Sequence, residues 1–180
     1  MPDLYRRPSY KTPDISSVEV IGIDELDDPL VKLGCRYWTA LRGTRRFPAR
    51  AEIAPRGMLA FLRHVVLLKV IDGGVDYEYR IAGDAHVAAI GAPFQGMRLS
   101  QIEAVAPDFG RMARATYAHV VAAAEPYCVR GWMGRDVPHA RFAYHESAFL
   151  PLGATEAAVD HLLIVSGYIP RAPLESTARA

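Results

Sequence analysis

At 180 residues, with 21 basic against 20 acidic side chains and a net charge of +1, the chain is long enough for one compact domain and has no global attraction for nucleic acid or an anionic membrane. Its longest apolar run, Val65 to Ile71, is interrupted by Lys69 and falls well short of the roughly 20 residues that span a bilayer. Only Cys35 and Cys128 occur, with no CxxC pair, so neither a disulfide framework nor a thiolate zinc site is indicated and both read as small buried apolar residues.

The opening residues, MPDLYRRPSYKTPDISS, place charge and proline where a signal peptide holds an apolar core, which predicts a cytoplasmic protein. Up to about Asp24 the chain mixes Pro, Ser and charge around one apolar patch, Val18 to Ile23, that fits a strand or an ordered arm. Asp28-Pro29 then reads as an N-cap followed by a first-turn proline, and Leu30, Leu33, Tyr37 and Leu41 recur at helical spacing until Gly43. A second strip of the same helix carries Val31, Cys35 and Trp38, so the apolar stripe is wider than packing on one small sheet requires. The expectation is that the first strip covers the sheet while Val31, Cys35 and Trp38 meet a second copy of the chain in a homodimer. The alternative is that residues 1 to 24 fold back over that strip.

After RFPARAEIAP, the run Met58 to Leu62 predicts one or two helical turns. HVVLLKVID is rich in strand formers, and Asp72-Gly73-Gly74 joins it to VDYEYRIAG as an antiparallel hairpin. In that second strand Tyr77, Tyr79 and Ile81 alternate with Glu78, Arg80 and Ala82, the period of two unlike faces. The period changes after Gly83. Asp84 can cap a short helix through Val87 and Ile90 that Gly91 stops. From Pro107 to Ala124, Phe109, Met112, Thr116 or Tyr117, Val120 and Ala124 recur at three and four residues, one long amphipathic helix. PYCVRGWM, FAYHESAFLPL and VDHLLIVSGYI follow as three strands with no long helix between them, and the whole order is α+β.

A hairpin that breaks at Gly83-Asp84 into short helices, then a longer helix and a meander, resembles a PAS domain. WTALRGTRRFPARAEIAP followed by LLKVIDGGVDYEYRIAGDAHVAAIGAPFQGMRLSQI looks like the bacterial single-domain PAS subset long catalogued as a domain of unknown function. Trp38, Leu41, Arg42, Gly43, Pro48, Arg50, Pro55, Tyr79, Arg80, Gly83, Gly91, Gly96 and Leu99 carry the likeness, which covers roughly residues 28 to 169; Glu52 stands where the subset has Asp after Pro-x-Arg. The resemblance implies a five-stranded antiparallel sheet with helices over one face, an N-terminal helix and a small cavity between sheet and helices. It divides the chain into an arm (1–24), a PAS domain (25–172) and a tail (173–180). It also implies a non-enzymatic sensory or adaptor domain that binds a small ligand and signals through contact with another protein, because no kinase, cyclase or DNA-binding segment fits in the remaining residues. PAS domains often pair through the helix before their first strand, which favours the same homodimer. The alternative is a ligand-free interaction module, and an enzyme using the cavity is a third reading. PAS domains bind haem, flavin, small acids, nucleotides or nothing visible, so the cofactor stays open.

Within that frame Tyr79, Ile81, Met112, Tyr117, Trp132, Tyr144 and Glu146 are expected in or beside the cavity, since small-ligand sites are mostly apolar with few polar anchors. Glu146, in mid-strand, needs a wet face or a partner such as Arg80, Arg130 or a ligand. His119, near the middle of the long helix, matches by element the iron ligand of haem-binding members, and a surface histidine fits as well. The Asn-Cys-Arg segment of light-sensing flavin members is missing. Arg42, Arg45, Arg46 and Arg50 cluster at the end of the first helix; Arg42 and Arg46 suit bidentate phosphate binding, and a solvated helix cap is the plainer reading. Asp136, His139 and His145 read as solvated loop and strand groups rather than a metal site, HExxH and GxSxG are absent, and no reaction can be named.

Overall fold

The first helix starts where Asp28-Pro29 predicts: the Asp28 carboxylate accepts from the backbone N–H of Leu30 and Val31, and α1 runs Pro29–Arg42 in a computed structural model that describes residues 11–137 and 140–171. The first ten residues of the arm, the tail at 173–180 and His139 lie outside the described residues. The rotation of α1 is the reverse of the expected one. Val31, Cys35 and Trp38 are 0, 5 and 1 % exposed against the protomer's own sheet, while Leu30, Leu33, Tyr37 and Leu41 flank them half-buried. The strip assigned to a homodimer therefore has its partner within the chain and is not available to a second copy. The physical reason is Gly34, which lies in the middle of that strip; a Cβ there would meet Val165 Cγ2 at 2.6 Å, so the helix can approach the sheet closely only on this side.

The sheet has six strands, in the order β1-β4-β5-β6-β2-β3, every neighbouring pair antiparallel. They are β1 (Ser17–Ile21), β2 (Val65–Ile71), β3 (Asp76–Ala82), β4 (Tyr127–Trp132), β5 (Phe142–Leu152) and β6 (His161–Pro170). The strand beyond the expected five is β1, which lies along β4 from Ser17↔Trp132 to Ile21↔Cys128 and resolves the Val18 patch as a strand. Turns at Pro55–Met58 and Leu62–His64 precede β2, the hairpin turns at Asp72–Gly74, and β4, β5 and β6 form the predicted meander. Helix α2 (Asp84–Ile90) has Gly83 rather than Asp84 at its N-cap, and the expected long helix, α4 (Pro107–Ala123), follows a separate short one, α3 (Leu99–Val105).

Alternation along β5 and β6 assigns the two faces. Val165 meets Gly34 of α1, whereas Tyr168, three residues on, meets His86 of α2. In β5, Phe149 packs on Tyr117 of α4, whereas Glu146 bonds to the residues that open α1. Helix α1 thus covers one face, and α2 to α4 cover the other.

Gly34→Ala tests the close approach. Helix propensity alone would add up to roughly 1 kcal/mol, but overpacking against Val165 predicts a net loss of about 1–3 kcal/mol in urea unfolding.

Candidate functional site

Between the sheet and α2 runs a row of polar side chains that the strand register sets side by side: His145 opposite Tyr168, and Ser147 opposite Ser166. The two serine hydroxyls share a hydrogen bond of 2.8 Å, and His145 Nδ1 stands 3.4 Å from Ser147 Oγ. His86 of α2 closes the row with Nδ1 at 2.8 Å from the Tyr168 hydroxyl. At the edge of the same face, His64 Nδ1 donates to the Ser166 carbonyl at 2.8 Å. Aromatic rings wall this seam: Phe94 packs against both Tyr79 and His86, Phe109 against Phe94, and Phe142 against Tyr168. Tyr79 and Tyr117 share a buried hydroxyl–hydroxyl hydrogen bond of 2.8 Å that ties β3 to α4.

Burial favours the neutral forms of His86, His145, Tyr79, Tyr117 and Tyr168. It pushes His86 and His145 down to about 4, and it pushes Tyr79 and Tyr168 up to about 12. Tyr117 is raised well above the usual phenol range, again by burial. A neutral imidazole bonded through Nδ1 has one nitrogen left. His86 Nε2 is buried and has no hydrogen-bond partner among the described residues, a cost of about 1–3 kcal/mol unless something meets it. Ser147 lies at long range from His145, and among the described residues no carboxylate bonds to that ring, so the row is a set of hydrogen-bonding groups rather than an activated nucleophile.

The expected cavity residues divide between the two faces. Tyr79 and Tyr117 come together at the seam. Ile81 pairs with Leu67 across a bulge, so it leaves Tyr79's face and lies half-buried. Met112 is 61 % exposed on the outer side of α4, because the helical phase that buries Ala113, Tyr117 and Val120 turns it to solvent. Trp132, Tyr144 and Glu146 lie on the α1 face: Trp132 and Tyr144 rings pack with centroids 4.9 Å apart beside a groove of about 510 Å³. Glu146 is buried and bound by the backbone N–H groups of Asp27 and Asp28 rather than by Arg80 or Arg130. His119 is exposed and stacked edge-on against Tyr127, away from the seam. The sequence reading missed His86, Tyr168, Ser147 and Ser166. The available signal was the polar alternation His145, Ser147 in β5 and Ser166, Tyr168 in β6, which places four polar groups on one face of two central strands.

Stability should report the buried imidazoles. Below pH 6.5 the unfolded chain takes up protons that native His86 and His145 refuse until about pH 4, so stability is complete above pH 6.5 and falls through that window. Urea unfolding at pH 7 and pH 4.5 should show a loss of roughly 2–5 kcal/mol, and His86→Asn should flatten the slope by about half.

The family model for the PAS domain matches residues 29–164, from the start of α1 into β6. Neither a curated protein nor a solved structure matches the chain. Among the described residues no helix is long and apolar enough to cross a membrane, and no group of three or more His, Cys, Asp or Glu side chains could hold a metal ion. With the family matched over most of its length and the sheet, crossover helices and meander in the order that family requires, the chain belongs to the PAS domain family, whose members are generally non-enzymatic sensory or interaction modules.

Proposed function

We propose that this PAS domain is a sensory module that holds a small, uncharged ligand in the seam between β5, β6 and α2. One observation carries the reading: the unmet Nε2 of His86, buried in an aromatic wall and held by Tyr168. The groups that meet in the seam, His86, Tyr168, Phe94, Ser147 and Ser166, favour a neutral ligand, since an ion brought against them would shed its hydration with no countercharge among them to replace it. A flat molecule with one hydrogen-bonding edge suits the rings of Phe94 and Tyr168 and the single nitrogen. Output passes by contact with another protein.

The second reading, a ligand-free interaction module, is favoured by β1. Among the described residues this strand is a sheet edge with no strand on its outer side, and Val18 and Val20 are 57 and 63 % exposed along it, a surface suited to adding a strand from a partner.

Native mass spectrometry and the absorbance spectrum of freshly purified protein separate the two. The sensory reading expects a retained neutral molecule, bound at least about tenfold more weakly by His86→Leu. Protein that carries nothing, with wild type and His86→Leu unfolding alike across a panel of neutral aromatic compounds, would favour the interaction module.

A further inference from the structure

The opposite side of the molecule carries a different kind of cavity. A groove of about 650 Å³ runs along α1 between Lys32, Arg36 and Arg42 on the helix and Ile23, Trp38 and Pro126 beneath them. A second, of about 330 Å³, shares Ile23, Arg42 and Pro126 with it and continues to Arg46. Arg42 is the junction. Its guanidinium lies over the Trp38 ring, 5.1 Å from the centroid, and its Nε is buried with no hydrogen-bond partner. Among the described residues that guanidinium makes no ion pair either, although Asp24 and Glu125 border the two grooves.

A solvated cap at the end of α1 does not account for this. A cap arginine turns its head to water or to the last carbonyls of its helix, as Arg45 does by donating to the Leu41 carbonyl. Arg42 instead holds its guanidinium over a buried indole, where the ring compensates the charge from one side, and the donor edge has no partner among the described residues at the junction of the two grooves. Such an edge matches two oxygens of a carboxylate or phosphate, and charge-assisted bonds of that kind are the strong ones. Lys32 and Arg36 on one side and Arg46 on the other raise the local positive charge, against the two carboxylates of Asp24 and Glu125. The floor is apolar, and a volume of about 650 Å³ accepts a small organic molecule.

We infer that this groove binds an organic oxyanion, an apolar body carrying a carboxylate or phosphate, with Arg42 gripping the oxyanion from its seat on Trp38. The site is separate from the seam. It lies on the other face of the sheet and takes ligands of opposite character.

The test uses three probes with one ring system: 1-naphthoate, 1-naphthyl phosphate and the uncharged 1-naphthalenemethanol. Binding to the full chain is followed by calorimetry and by the Arg Nε–H and Trp indole N–H signals in 15N-edited NMR spectra. At least one of the two anions should bind, shift the Arg42 Nε–H and Trp38 indole signals, and weaken about tenfold or more in Arg42→Gln but not in Arg111→Gln. If Arg42→Gln loses its native spectrum, the double variant Arg36→Gln/Arg46→Gln, altered only at exposed positions, should show a loss of about threefold or more in affinity and a flatter salt dependence. Equal binding of 1-naphthalenemethanol, unchanged affinity in the arginine variants, or no binding of either anion at millimolar concentration overturns the inference. Anion binding lost in His86→Leu but kept in Arg42→Gln would place the anions in the seam and overturn it as well. The neutral-ligand reading of the seam stands or falls separately, on retention of an uncharged molecule.

Discussion

Glu146 sits in the middle of β5 at 1 % exposure with no cationic partner among the described residues, a placement that would be strongly unfavourable for a bare carboxylate. Its compensation is the open end of α1. The backbone N–H of Asp27 donates to both carboxylate oxygens at 2.9 and 3.1 Å, and that of Asp28 donates at 2.7 Å. Those donors belong to the turn that enters the helix, where unpaired N–H groups and the helix dipole both favour an anion. The Asp28 side chain then caps the next two N–H groups, so two carboxylates in series hold the helix start to the sheet. Gly167, opposite Glu146 on β6, makes the approach possible, since a Cβ there would lie 2.0 Å from the Asp28 carboxylate. Once that end is pinned, the azimuth of α1 follows. Val31, Cys35 and Trp38 turn inward, the Trp38 indole donates to the Pro151 carbonyl at 2.8 Å, and Arg42 is left on the outer face of that ring.

The sheet therefore separates two environments of unlike electrostatics. On the α2 to α4 face the seam is made of imidazoles and hydroxyls whose neutral forms burial favours, while the ions of that side, Asp76 with Arg114 and Glu103, gather where β3 meets α3 and α4. On the α1 face the polar groups are ions: Glu146, the Arg130 pairs with Glu19 and Asp27, and the cationic rim of the groove. Each buried carboxylate has its compensation, Glu146 in the N–H groups that open α1 and Asp76 in Ser100 and Arg114, as the cost of desolvating charge requires.

The elements were legible because their signals are local. Asp28-Pro29 started α1 as read, the Asp72-Gly73-Gly74 turn closed the hairpin, alternation found β3, and strand-forming runs with no long helix between them found β4, β5 and β6. What a single strand or helix cannot report is which of its faces meets which neighbour. Both strips of α1 are apolar, and the absence of a Cβ at Gly34, together with the pinned start of the helix, decides between them, a cue visible in the sequence but meaningless without Val165 opposite. The cavity list failed for the same reason: Tyr79 and Tyr144 look alike in sequence, yet the antiparallel register sends one toward Tyr117 and the other toward α1. A slip of one residue in a bulge was enough to remove Ile81 from Tyr79's face. The polar seam escaped because its members come from α2, β5 and β6, and single serines and histidines carry no signal until the register lines them up.

That register also links the two faces. His145 and Ser147 flank Glu146 in the chain, so the residues that line the seam and the one that holds α1 are immediate neighbours with side chains pointing in opposite directions. Across the ladder, Ser166 and Tyr168 flank Gly167, whose bare Cα admits Asp28. A shift of the β6 backbone at Tyr168 would carry Gly167 with it and bear on Asp28, which packs where a side chain at Gly167 would stand. Packed strands transmit such shifts because their interiors are dense and their hydrogen-bond ladders stiff. The start of α1 and the seam thus share one stretch of β5 and β6 backbone, and the far end of the same helix carries Arg42 over Trp38.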